Sequence, residues 1–107
     1  MAELNKVVSL LGIAKKAGKV IAGTEMAVES VRSRKKDAVK LFILACDASA
    51  NTVKRIENTS AYYKIPVIRL EADKSELARI IGRHSEVSAL GVTDQGFTDA
   101  MLRAVSQ

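Results

Sequence analysis

The stretch GKVIAGTE, residues 18–25, joins a short apolar run to a predicted helix through Gly23 and Thr24. A helix N-terminus carries unpaired backbone N–H groups and a partial positive charge, and a glycine there lets a ligand approach the backbone closely. Such a junction is suited to binding phosphate, although neither a Walker A sequence nor GxGxxG is present. The same glycine also suits a purely structural turn from strand to helix, and its spacing leaves both interpretations open.

A second set of residues has the types that nucleophilic catalysis uses. Cys46 ends a predicted strand, His84 is the only histidine, and the three aspartates Asp47, Asp73 and Asp94 lie near the ends of predicted strands. A single cysteine that ends an apolar strand is more often a small core residue, and a histidine just after a helix is more often solvated. No pair of histidines or cysteines has the spacing of metal ligands. We therefore expect a protein that is not an enzyme and that has no catalytic residue, metal or cofactor.

The hydrophobic pattern predicts helices and strands in regular alternation. Helical spacing covers residues 2–15, a second helix begins at Gly23 or Thr24, and Asp73 with Glu76 resembles a capping box. The predicted strands are residues 20–22, 41–46, 67–70 and 89–93. Strands separated by helices favour a sheet covered on both faces. The fold class that we predict is α/β, a single-domain three-layer α/β/α sandwich with a mixed, mostly parallel four-stranded sheet.

Size and charge limit the possible functions further. The chain of 107 residues is long enough for one domain, residues 1–107, and its net charge of +5 lies entirely in residues 1–40. A basic segment on a small domain suits a polyanionic partner. Only two Phe and two Tyr are present, so a platform of stacking aromatics is not expected. No apolar run approaches the roughly 20 residues that span a bilayer, the start MAELNKVVSLL has no basic leader, and Cys46 is the single cysteine. These features predict a cytoplasmic protein without membrane contact.

Four longer stretches carry a resemblance to a known family. The stretches AKKAGKVIAGTE, LFILACDASANT, YYKIPVIRL and SALGVTDQGF, within residues 4–105, resemble the kink-turn-binding ribosomal protein family and, within it, small bacterial members of the YlxQ type. The resemblance implies a three-layer α/β/α sandwich that binds a kink-turn, a sharply bent RNA helix with a bulge beside tandem sheared G·A pairs. It also implies where the RNA binds: at the N-terminus of the helix that begins at Gly23, and at a second loop.

Carried over by residue, the first contact matches the family only in part. Gly23 and Thr24 match the Gly-Thr of the family, whereas Glu25 and Met26 stand where archaeal members have Asn and Glu, and Glu29 stands where they have Lys. A carboxylate at position 25 can accept hydrogen bonds from a base amino group. The alternative is that both glutamates are solvated acids in the first turns of a helix, and for Glu29 we favour this alternative.

The second contact corresponds to the loop of residues 83–89. Glu86, Val87 and Ser88 match the position of the family's apolar contact, and Val87 would pack against the extruded base. The alternative is an ordinary buried valine at the start of a strand. Phosphate contacts that compensate for the two glutamates are expected from three lysines: Lys15, Lys16 and Lys19.

These features together predict a monomeric, non-catalytic protein that binds kink-turn-like structured RNA, ribosomal or other, and associates with the ribosome if that RNA is ribosomal. The acidic residues on the predicted RNA-binding helix leave a second hypothesis open. In this alternative the same fold is a protein-interaction module whose RNA binding is weak or non-specific.

Overall fold

The computed structural model describes residues 2–33 and 36–106, with side chains from residue 5 onward. The elements follow in the order α1 (Ala2–Lys16), β1 (Val20–Ala22), α2 (Thr24–Arg32), β2 (Leu41–Leu44), α3 (Ala50–Tyr63), β3 (Val67–Arg69), α4 (Lys74–Ile80), β4 (Ala89–Val92) and α5 (Gln95–Val105). The predicted alternation of helices and strands is therefore confirmed. Across the described residues, no helix combines the length and apolar character needed to cross a bilayer.

The four strands form one mixed sheet in the order β1-β4-β2-β3. β2 and β3 are parallel, but β4 is antiparallel to both of its neighbours, β1 and β2. The prediction of a mixed four-stranded sheet is confirmed, and the prediction that it is mostly parallel is wrong. The reason is that β1, β2 and β3 do run in one direction, but the last strand inserts between β1 and β2 in the opposite direction. Two of the three strand pairs are antiparallel as a result.

Alternate side chains of the central strands divide the core into two halves. Leu41 and Ile43 of β2 join the buried cluster that includes residues of α1, α4 and α5. Phe42 and Leu44 point to the other face and join the cluster built with α2 and α3. Because all four residues of β2 are buried, this strand reads as a continuous apolar run and not as an alternating one. The sheet is thus covered on both faces, which confirms the three-layer α/β/α sandwich.

Strand direction sorts the loops between the two ends of the sheet. The first end, which we call the carboxyl end, carries the loops that follow β1, β2 and β3 and the loop that precedes β4: residues 22–24, 45–49, 70–73 and 82–88. The opposite end, which we call the amino end, carries the segments that precede β1, β2 and β3 and the one that follows β4: residues 15–19, 38–40, 63–66 and 93–95. Two residues that flank the same strand are close in the sequence, but they therefore lie at opposite ends of the domain.

Candidate nucleic-acid interface

Gly23 forms the start of α2 at the carboxyl end. Its φ of +98° and ψ of 140° lie in a region that residues with a Cβ rarely adopt. Its N–H donates to the Ala89 carbonyl at 3.0 Å, and its own carbonyl accepts from the N–H of Ala27 at 3.1 Å. A Cβ at this position would meet no atom within 4 Å. The backbone conformation therefore requires glycine here, and the space in front of the helix is open.

The N-terminus of α2 also differs from the other helix starts in having no capping side chain. Ser49 caps α3, Asp73 caps α4 and Asp94 caps α5, each through a side-chain oxygen that accepts a backbone N–H of the first turn. Among the helices whose preceding residue the structure describes, only α2 has no side-chain cap. The first N–H groups of a helix have no partner within the helix. Those of α2 are therefore left for solvent or for an anionic ligand.

The loop that precedes β4 lies against this helix start. The Gly23–Ala89 hydrogen bond joins the first residue before α2 to the first residue of β4. On the other side, the Ser88 carbonyl accepts from the N–H of Ala45 at 2.9 Å, and the N–H of Val87 donates to the Lys74 carbonyl at 3.2 Å. The two segments that the resemblance assigns to RNA are thus brought side by side by backbone hydrogen bonds.

Of the three residues of this loop that are predicted to contact RNA, Glu86 and Ser88 are available at the surface. The carboxylate of Glu86 is exposed, lies 3.9 Å from the Lys74 ammonium nitrogen and accepts from the Ser75 hydroxyl at 3.3 Å. Ser88 is half-buried beside it. Contacts of this kind hold a loop in place without removing it from solvent, so Glu86 and Ser88 stay candidates for contact with a ligand.

Val87, by contrast, lies in the core. Only 5% of its surface is exposed, and it belongs to the same buried cluster as Leu77 and Ala78 of α4. The structure contradicts the prediction that this side chain offers a surface to an extruded base, because burying its methyl groups against α4 removes them from water. The alternative interpretation, a buried valine that leads into a strand, describes its position.

The acidic residue in the first turn of α2 has a partner that the sequence did not indicate. The Arg55 Nη2 of α3 donates to Glu25 Oε2 at 2.9 Å, and Arg55 Nε lies 2.8 Å from Glu25 Oε1, in an ion-pair contact outside hydrogen-bond alignment. The two residues are 30 positions apart, so no local spacing could have revealed the pair. The Glu25 charge is therefore compensated by a guanidinium group, and this end of α2 is less repulsive to phosphate than its sequence suggests.

The Glu25–Arg55 pair makes a small contribution to folding. The Glu25 side chain is 76% exposed and the Arg55 side chain 41% exposed, and ion pairs in such surroundings contribute about 0–1 kcal/mol. We expect Glu25→Gln to change the free energy of unfolding by less than about 1 kcal/mol. Urea unfolding of the two proteins measures this, with Arg55→Gln as the matched variant. A loss of several kcal/mol in either variant would contradict the assignment of this pair to the surface.

Behind Arg55, the exposed face of α3 continues the surface of the α2 N-terminus. Asn51, Lys54, Arg55, Asn58 and Thr59 line an open groove of about 260 Å³ there. All five side chains are polar and none is acidic. On α2 itself, Met26 is 65% exposed, Thr24 is half-buried and Glu29 is exposed. The surface around Gly23 is therefore polar and cationic towards α3 and carries one exposed apolar side chain.

The three lysines of the predicted site lie elsewhere. Lys15 and Lys16 are in the last turn of α1, and the Lys19 carbonyl accepts from the N–H of Thr93 at 2.9 Å, so all three are at the amino end. Four residue steps along β1, about 13 Å, separate Lys19 from Gly23. The structure does not bring these lysines together with the α2 N-terminus. The lysines and Gly23 are close in the sequence but not in space, because β1 carries the chain across the domain between them.

Of the residues considered for catalysis, Asp94 lies at the amino end, away from the others at the carboxyl end, and the Asp47 and Asp73 carboxylates accept backbone N–H groups of α4. Cys46 is exposed just beyond β2 and does not lie in the core as expected, because the strand ends two residues earlier. His84 is exposed in the loop after α4, as the sequence predicts. Over residues 2–33 and 36–106, no group of three His, Cys, Asp or Glu side chains is placed to hold a metal ion.

Comparison with known proteins places this geometry in context. The model of the ribosomal protein L7Ae/L30e/S12e/Gadd45 family matches residues 5–102. Two curated relatives, both named RNA-binding protein YlxQ, are similar over most of their length. The one from Bacillus subtilis (strain 168) is 37% identical over 93 residues, which is 87% of this chain and 88% of the relative. The one from Enterococcus faecium is 36% identical over 92 residues, 86% of this chain and 84% of the relative.

Solved structures show the same fold. A Bacillus halodurans C protein of unknown function superimposes with a TM-score of 0.85 at 33% identity, over 95% of this chain and 98% of that one. The Giardia lamblia 15.5kD RNA binding protein superimposes with a TM-score of 0.79 over 99% of this chain and 88% of that one. Its identity is 16%, so it bears on the fold alone. The predicted family and its YlxQ-type branch are confirmed by the family match and by the two curated relatives.

Proposed function

Because this chain belongs to the ribosomal protein L7Ae/L30e/S12e/Gadd45 family, we propose that it is a non-catalytic RNA-binding protein that recognises kink-turn-like structured RNA, ribosomal or other. Its RNA-binding surface is the α2 N-terminus at Gly23 and Thr24 together with the loop of residues 83–89. It acts as a monomer in the cytoplasm. The two curated relatives, whose names describe RNA-binding proteins and not enzymes, support the non-catalytic role.

One observation carries this proposal: the uncapped start of α2 is hydrogen-bonded to the end of the loop that precedes β4. The Gly23 N–H and the Ala89 carbonyl are 3.0 Å apart. An RNA that meets the open N–H groups of α2 therefore also meets Glu86 and Ser88. Backbone N–H groups at a helix start are suited to phosphate oxygens, and carboxylates are suited to base amino groups.

Arg55 holds the Glu25 carboxylate in place on this surface. By pairing with the Glu25 carboxylate it reduces the negative charge in front of α2, while one edge of the carboxylate stays exposed to a base amino group. Met26, 65% exposed on the same turn, presents an adaptable apolar side chain to an RNA that binds at the start of α2. In this arrangement Glu25 serves base recognition and the backbone of α2 serves phosphate binding.

A bent RNA is favoured because the two elements are close together and rigidly joined. A protein that binds the bent form more tightly than the extended form shifts the population towards the bend, and the cost of bending is offset by the extra contacts. Helix start and loop are held by the sheet, so their spacing does not adapt to a straight duplex. The shape of the RNA therefore contributes to specificity in addition to its charge.

A binding titration tests the proposal. We expect a fluorescently labelled kink-turn RNA to bind at least about tenfold more tightly than a straight duplex of equal length, a difference of about 1.4 kcal/mol. This preference should persist when the salt concentration is raised from 50 to 200 mM, while the affinity for both RNAs falls. Equal affinity for both RNAs at every salt concentration would contradict kink-turn recognition.

A protein partner is the alternative that the exposed Met26 favours, because methionine side chains are common at adaptable protein-binding surfaces. The same titration discriminates between the two functions. A protein-interaction module would bind both RNAs weakly and without preference, and its RNA affinity would fall in parallel for both as salt rises.

A further inference from the structure

The positive charge that is not balanced by nearby acids is concentrated away from the α2 N-terminus. Lys15 and Lys16 end α1, Lys19 precedes β1, Lys40 precedes β2 and Lys64 follows α3, and all five belong to the amino end. Since β4 lies between β1 and β2, the backbones of Lys19 and Lys40 flank it two strand spacings apart, roughly 10 Å. Their positions are set by backbone hydrogen bonds: Lys19 O accepts from Thr93, and the Lys40 N–H donates to Val92 at 2.7 Å.

The acids near these lysines are engaged within their own helix. Asp94 accepts from the N–H of Phe97 at 2.9 Å as the cap of α5, and Asp99 accepts from the Gln95 side-chain amide at 2.7 Å. Lys36 and Asp37, adjacent in the loop before β2, offset each other in charge. The amino end is therefore a surface of net positive charge on which the lysines outnumber the acids.

The carboxyl end has a different electrostatic character. The ion pairs that form between described residues, Glu25–Arg55 and Lys74–Glu86, both involve elements that meet there. Asp73 adds a further carboxylate as the cap of α4, and the Asp47 carboxylate accepts from the N–H of Lys74 at 2.9 Å. This end therefore carries groups of both signs, several of them paired, which suits recognition of a specific shape. A surface with one sign of charge suits general attraction of a polyanion.

We propose that the amino end is a second RNA-binding surface, which holds the phosphate backbone of an RNA helix without regard to sequence while the carboxyl end holds its specific RNA. The lysines of α1 also lie at the negative end of the helix dipole, where cations are favoured. An open cleft of about 340 Å³, with Lys40, Lys64 and Gln95 in its lining, gives the surface a concave part. One copy of the protein then bridges two RNA segments. The second surface does not depend on kink-turn recognition at the first.

Salt dependence tests the second surface. The slope of log K against log salt concentration is negative, and each lost phosphate contact reduces its magnitude by about 0.7–0.9. With a fluorescently labelled 24-base-pair RNA duplex as the probe, the double variant Lys16→Ala/Lys19→Ala is expected to reduce this magnitude by about 1.4–1.8. The matched control, Lys6→Ala/Arg103→Ala, removes the same charge from exposed positions of α1 and α5 that lie outside the amino end. It is expected to reduce the magnitude by less than about 0.5, roughly half of one contact. Equal slopes for the two double variants would overturn the proposal, because the effect would then be one of total charge.

A bridging assay separates this inference from the proposed function. Energy transfer between a donor-labelled kink-turn RNA and an acceptor-labelled duplex is expected with the unmodified protein and is expected to be lost in Lys16→Ala/Lys19→Ala. That double variant should keep its preference for the kink-turn over the duplex in separate titrations. Loss of the preference with unchanged energy transfer would overturn the second surface. In a further outcome, the unmodified protein shows no preference for the kink-turn while Lys16→Ala/Lys19→Ala still reduces the magnitude of the salt slope measured with the duplex. In that case the second surface stands and the proposed function fails.

Discussion

Replacement of Gly23 by valine is expected to weaken binding of a kink-turn RNA by at least about tenfold. A residue with a Cβ held at φ +98° is strained by about 1–3 kcal/mol, and a β-branched side chain is less tolerant than most. Because the space beyond this position is open, the valine would project from the helix start to where the RNA backbone must approach. Fluorescence anisotropy with the kink-turn RNA and with the straight duplex measures the loss for each.

Gly18→Val is the matched control for backbone strain. Gly18 has φ +74° and, like Gly23, no atom within 4 Å of an added Cβ, but it lies at the amino end of the sheet. Both variants are expected to lower the melting temperature by similar amounts, whereas only Gly23→Val should reduce the ratio of kink-turn to duplex affinity. A similar reduction in both, or in neither, would place the specific surface away from the α2 N-terminus.

Replacement of Gly91 by alanine is expected to lower the free energy of unfolding more than alanine at any other glycine of this chain. The new Cβ would overlap Val39 Cγ2 and lie 2.7 Å from Val39 Cγ1, inside contact distance. Gly91 is in the middle of β4, paired with Ile21 on one side and Phe42 on the other, so the backbone has no direction in which to move. Overpacking of this kind costs about 1–3 kcal/mol, and each kcal/mol lowers the melting temperature by about 4–8 °C in a domain of this size.

The Gly91→Ala loss should be partly restored by a second change, Val39→Ala, because the new methyl group would then occupy space that the valine methyls leave. By itself, Val39→Ala is expected to be destabilising, since the Val39 side chain is 2% exposed and belongs to the buried cluster of α2 and α3. Urea unfolding of the two single variants and the double variant gives the coupling free energy. Additive losses would mean that the overlap is relieved elsewhere and that Val39 does not set the limit at position 91.

Local signals in the sequence were sufficient for the elements and for part of the candidate site. The capping box of Asp73 and Glu76 is present with both of its hydrogen bonds, and α2 begins after Gly23, one of the two positions that the sequence indicated. Such features involve residues within one helical turn, so their geometry is nearly independent of the rest of the chain. The family resemblance implied the same fold that the hydrophobic pattern predicts, and it indicated the two segments that the sheet brings together.

Other features depended on contacts between distant parts of the chain. Insertion of β4 between β1 and β2 makes most strand pairs antiparallel, although β2 and β4 have the continuous apolar runs expected of parallel strands. For Val87 the sequence leaves open a contact with an extruded base or a buried valine at the start of a strand, and packing against α4 decides for the buried position. Hydrophobic periodicity shows which face of an element is buried, and it says nothing about which neighbour covers that face or in which direction that neighbour runs.

The amino-acid sequence by itself determined the order of helices and strands, the glycine at the start of α2 and the positive charge of residues 1–40. Only the tertiary structure decided where that charge acts: β1 carries the chain about 13 Å from Lys19 to Gly23, so the lysines and the helix start lie at opposite ends of the sheet. Only the tertiary structure, likewise, brought Arg55 to Glu25 across 30 residues. The physical reason is the same in both cases. Charge is a property of single residues, but its effect depends on distance in space, and packing sets that distance.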